Sequence, residues 1–240
     1  MTPPTSPRRG PDLPYSIVGG VKPCATGWLV AGAKLHGTTF APESLRVIES
    51  FVDVIDQRPG FSVIALSAPI GYLDEVTPGG RSCDRQARKL LGRRGSAIHS
   101  APAYAVLEAG GDGTDDHLDA ISKKLLPRYR EVAAEMAPYR QRTIYEVNPE
   151  LSFYHLNGEV PLLWSKNSAE GLEERRGLLT DKIPGAEGLL STEISRVPTS
   201  HLLDVAALLW TARRIFARAG IRIPSDPEWD EQGLRMEFVY

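Results

Sequence analysis

Cysteine is scarce in this chain: its 240 residues hold two, Cys24 and Cys83. Two cannot build a disulfide framework, and with no histidine at ligand spacing they do not make a zinc site. Both are expected as free thiols in a reducing cytoplasm. No apolar run approaches the roughly 20 residues of a membrane span, so no membrane partner is expected. Neither sign of charge dominates: 28 Lys and Arg against 30 Asp and Glu leave a net charge of −2. That excludes a global field drawing in nucleic acid, and any such contact must be a local patch. His99, His117, His155 and His201 show no metal spacing with one another. Walker and Rossmann phosphate loops are absent, since GVKPCATG (20–27) fits neither spacing, and no G-x-S-x-G nucleophile elbow occurs. The acidic, glycine-rich run EAGGDGTDDH (108–117) lacks the liganding pattern of a calcium loop and reads as a surface loop.

What is present is an ordinary globular composition, 42% hydrophobic and 24% charged. Residues 1–14 carry five prolines and read as a disordered tail rather than a secretory signal. From residue 15 to 240 no linker suggests a second domain. YSIVGGV and WLVAGAKL, joined by a short turn, read as a hairpin, and a short third strand follows His36-Gly37. Leu45, Ile48, Val52 and Ile55 recur at three and four, which predicts a helix from Pro42 to Gln57. FSVIALSAPIGY predicts a buried central strand, and RTIYEV (142–147) another. Helices are expected over 118–136, with Pro127 as a candidate break, over 166–179 and over 200–219, and LRMEFVY closes the chain as a strand. The alternation of helix and strand gives one α/β or α+β domain.

Residues 81–102 place six basic side chains on about three helical turns. Arg81, Arg85 and Arg88 share one face, and Asp84 stands four residues before Arg88, in reach of a pair. This is either a solvated helix face or a site for an anionic group such as phosphate. Three further points put polar groups at the ends of core elements. Lys22 ends the first strand. Glu146, Asn148 and Glu150 flank Pro149 at a strand-to-loop corner, where sites form in parallel sheets. Glu150 equally suits a helix cap. Asp204 sits within the most apolar helix, either on an exposed stripe or buried with a partner or a metal.

Together these segments carry a resemblance. GVKPCATGWLVA (20–31), IALSAPIGY (64–72), RSCDRQARKLLG (81–92), YEVNPELSF (145–153), the 166–179 helix, LLDVAALLWTARR (202–214) and LRMEFVY are similar to the bacterial RNase H-like family catalogued as domain of unknown function 429, described as predicted nucleases. The resemblance implies an RNase H-like α/β fold, a mixed five-stranded sheet with helices on both faces. It also implies a site of carboxylates at the first strand, a central strand and the last long helix, where such acids hold two divalent metals that activate water against a phosphodiester. The chain departs from that pattern: Lys22 and Ser67 stand where the family has Asp, and Asn148 where it has His. Glu146, Glu150 and Asp204 persist as the candidate catalytic set. Arg81, Asp84, Arg85, Arg88 and Lys166 persist as candidate substrate-binding residues. The expectation is a degenerate member that binds phosphate or nucleic acid with no cofactor, Lys22 taking over the electrostatic role of the metal by approaching Asp204 or Glu146. The alternative is an active nuclease using a reduced carboxylate set with Mg2+ or Mn2+. A structural subunit without ligand is the third reading.

Overall fold

A computed structural model describes residues 14–108 and 118–240. All but the last residue of the proline-rich segment, and all but the first of the acidic loop including His117, lie outside them. The chain runs β1 (Ser16–Cys24), β2 (Gly27–His36), β3 (Thr39–Ile48), α1 (Phe51–Asp56), β4 (Val63–Leu66), α2 (Ser82–Leu91), α3 (Tyr104–Glu108), α4 (Ala120–Glu135), β5 (Ile144–Glu146), α5 (Pro149–Leu156), α6 (Ala169–Lys182), α7 (Ala186–Leu190), α8 (Thr199–Phe216), β6 (Arg222–Trp229) and β7 (Arg235–Val239).

The main sheet is mixed and five-stranded, in the order β3-β2-β1-β4-β5. β1–β2 and β2–β3 are antiparallel, whereas β4 runs parallel to both β1 and β5. β1, β4 and β5 therefore end at the same edge, the edge at which open α/β sheets form their crevices. Strand side chains alternate between faces. Val18, Gly20 and Lys22 turn to the face covered by α8, and Val21 turns to the face covered by α1 and α4. Glu131 ties α4 down there, accepting from Trp28 Nε1 at 2.8 Å and from the Phe51 amide at 2.9 Å.

Gly20 permits the closest approach in this core. A Cβ there would lie 2.5 Å from both the Leu209 amide nitrogen and the Val205 carbonyl oxygen, so α8 lies with its backbone against β1. α4 runs unbroken through Pro127.

The helix expected from Pro42 to Gln57 is instead the second half of a ten-residue β3 followed by the short α1. The register shifts opposite Gly32 and Ala33, which pair with Ser44 and Pro42 and leave Glu43 as an extra residue. That bulge reverses the alternation. Phe40 and Leu45, five apart, consequently enter the same core. The closing strand forms where expected but pairs only with β6, in a separate two-stranded sheet. Cys24 and Cys83 are free and buried, and among the described residues no helix is long and apolar enough to cross a membrane.

Candidate functional site

A cleft of about 490 Å³ opens at the shared carboxyl edge of β1, β4 and β5. Lys22, Ser67, Glu146, Glu150, Lys166 and Asp204 all line it. Three charge clusters meet there.

The first lies on the α8 face. Asp204 is only 1% exposed, so it is not on an open stripe of its helix. Its Oδ2 receives two ammonium groups: Lys22 Nζ at 3.3 Å and Lys166 Nζ at 3.2 Å. Strand parity explains the first contact, because Lys22 faces α8 two residues beyond Gly20. Lys166 arrives from the loop before α6. Burial pushes the Asp204 carboxyl up, but Lys22 and Lys166 outweigh it and hold the group below the usual carboxylate range. Burial likewise holds Lys22 below the usual lysine range, with Asp204 opposing. His201, one turn before Asp204, is pushed down to about 4 by burial and by the Lys22 charge. It is therefore neutral at pH 7.

The second cluster lies on the opposite face. Arg81, 1% exposed, clamps Glu146 with both fork nitrogens, at 2.6 Å to Oε1 and 2.8 Å to Oε2. Its backbone and side chain also bond Asp84, which is fully buried, at 2.9–3.3 Å. The Ile70 amide donates to Glu146 Oε2 at 2.6 Å. Burial pushes the Glu146 carboxyl up to about 7, against the pull of Arg81, and the Asp84 carboxylate adds to the rise.

The third cluster is Glu150, in the first turn of α5. Arg175 donates to both its oxygens, at 3.1 and 2.9 Å, and Arg94 Nε donates to Oε1 at 2.7 Å. The cap of α5 is not Glu150 but Asn148, whose side chain accepts from the Glu150 amide at 2.9 Å. Asparagine is well suited to that position.

Arg85 and Arg88 do not line the cleft, contrary to the expectation that they share it with Arg81. Arg85 donates to the Gly80 carbonyl. Arg88 donates to the carbonyls of Gly79 at 2.6 Å and Ile98 at 2.9 Å and to Ser100 Oγ at 2.7 Å. They brace the loops flanking α2. Nor does Asp84 pair with Arg88: it lies on the packed face of α2 with Cys83, Ala87 and Leu91 and takes Arg81 instead.

Sequence reasoning missed Arg175, which is fully buried with its guanidinium 5.2 Å from the centre of the Phe153 ring. Its signal was the spacing Gly171, Arg175, Leu179, the buried stripe of an otherwise charged helix. It also missed Ile121 and Leu125 of α4, which form the wall opposite α8.

The donor set does not fit the divalent metal pair that the resemblance implies. Magnesium and manganese need several free carboxylate or carbonyl oxygens turned toward one point. Here Asp204 Oδ2 holds two ammonium groups, and both oxygens of Glu146 and of Glu150 are taken by guanidinium or amide donors.

No curated protein and no solved structure matches the chain. A family model described as "Protein of unknown function (DUF429)" matches residues 20–229, from within β1 to the end of β6, and contains every residue of the three clusters. The chain belongs to the DUF429 family.

Proposed function

We propose that this protein is an RNase H-like domain whose cleft binds an anionic, phosphate-bearing ligand without metal-dependent hydrolysis. The observation that carries the proposal is the pair of ammonium groups on one oxygen of Asp204, at 3.3 and 3.2 Å. One cation would neutralise that carboxylate, and the second leaves the spot positive. The five-stranded mixed sheet with helices on both faces supports the RNase H-like part of the reading. Lys22 at the position of a metal-binding Asp supports the loss of metal chemistry, because an ammonium supplies fixed positive charge without a coordination site. Lys166, 36% exposed at its side chain, is the group free to move from Asp204 onto a ligand.

The test pairs calorimetric titration of inorganic phosphate with a cleavage assay on a labelled single-stranded oligonucleotide in Mg2+ or Mn2+. Binding that falls at least about tenfold in Lys166→Glu, with no cleavage, is the expected result. Metal-dependent cleavage that disappears in Asp204→Asn would overturn the proposal in favour of an active nuclease.

A further inference from the structure

The cleft has two walls of opposite character. One is basic and polar: Lys22 and Lys166 meet there, and the first turn of α8 arrives with no side chain capping it. The start of a helix favours an anion, and this one lines the cleft with the two lysines, its His201 amide donating to the Pro198 carbonyl at 2.9 Å. The other wall, on α4, carries apolar side chains beside one lysine, Lys124. Ile121 and Leu125 stand four apart on one face of α4, where Asp119 starts the helix by accepting from the Ile121 and Ser122 amides. Ile121 is 50% exposed although it belongs to a helix packed on the core. A large apolar side chain left half in water on a cleft wall is suited to covering a ligand.

Two observations limit the size of that ligand. The volume, about 490 Å³, lies in the ordinary range of small-molecule sites. Both lysines also converge on a single carboxylate oxygen, so the positive charge is concentrated at one point rather than laid out along a track. A bound strand needs a row of phosphate partners. Of the other lysines and arginines that line the cleft, Arg81 is committed to Glu146 and Asp84, which leaves Lys124 as a single further cation and no row of them.

Resting on the anion-binding function proposed above, we infer that the ligand is a small organic phosphate with a flat or apolar body, of mononucleotide size, and not a polynucleotide strand. Its phosphate sits between Lys22, Lys166 and the start of α8. Its body lies against Ile121 and Leu125.

Calorimetry of the full chain with four probes tests this: inorganic phosphate, a nucleoside, the corresponding nucleoside monophosphate, and a twelve-nucleotide single strand. The monophosphate is expected to bind at least about tenfold more tightly than inorganic phosphate or the nucleoside, with the strand no tighter than the monophosphate. Ile121→Ser, a change at a half-exposed position, should remove that advantage while leaving inorganic phosphate binding intact. Lys166→Ala should weaken both. If the strand binds at least tenfold more tightly, with a salt dependence that steepens with its length, the inference fails and the cleft serves a polymer. If inorganic phosphate binds and the monophosphate gains nothing over it, the inference fails while anion binding stands. If none of the four binds, both fall together.

Discussion

Asp204 is held by two ammonium groups that differ in kind. Lys22, 13% exposed at its side chain, is fixed by its strand, whereas Lys166 comes from a loop. Removing the fixed one leaves a buried carboxylate with a single, more exposed partner. Lys22→Met should therefore cost about 2–3 kcal/mol in denaturant unfolding, near the low end for breaking a buried pair because Lys166 remains. It should also raise the Asp204 carboxyl toward the ordinary range, which NMR titration would read directly. His201 adds a pH dependence of known sign. Its folded value, about 4, lies below the ordinary 6.5, so the unfolded chain takes up the proton first. Stability is unaffected above about pH 6.5 and falls as pH drops toward 4. Unfolding midpoints of His201→Asn should decline less than wild type between pH 7 and 5, and parallel declines would contradict the assignment. The candidate acids were legible as residue types, because a carboxylate inside an apolar helix or at a strand end stands out. Lys22 was legible as a partner of Asp204, but the arginine partners of Glu146 and Glu150 were not. Arg175 is one charge among several in its segment, and only packing distinguishes it.

Gly20 is the element-scale constraint. Alanine there would press on the backbone of α8 at Val205 and Leu209, which has no rotamer to yield. Gly20→Ala should cost about 3 kcal/mol or more, at the upper end for overpacking, as a lowered unfolding midpoint. Most elements were readable from periodicity and turn residues: β1, β2, β4, β5 and the apolar α8 form close to where their patterns end. β3 was readable only as a short strand after His36-Gly37; its second half was not, because the bulge at Glu43 breaks the period-two pattern and leaves Leu45 and Ile48 at helical spacing. The pairing of β7 with β6 alone was equally hidden, since an isolated strand sequence does not state its neighbours.

At the scale of the whole molecule, the frame holds the metal question open to a direct test. If Lys22 and Ser67 are what exclude a metal, Lys22→Asp combined with Ser67→Asp should produce a melting temperature that rises with Mg2+ or Mn2+ by mass action, while wild type shows no such rise. A rise in wild type that is lost in Asp204→Asn would reverse the conclusion. The parity of the strands carries a further consequence. It sends Lys22 and Asp204 to one face of the sheet and Glu146 with Arg81 to the other. The strongest charges on Asp204 are Lys22 and Lys166, whereas those on Glu146 are Arg81 and Asp84. Each carboxylate has its own strongest partners. With Glu150 and its two arginines, the cleft is thus wired as three local circuits that share a mouth, each set chiefly by its own partners.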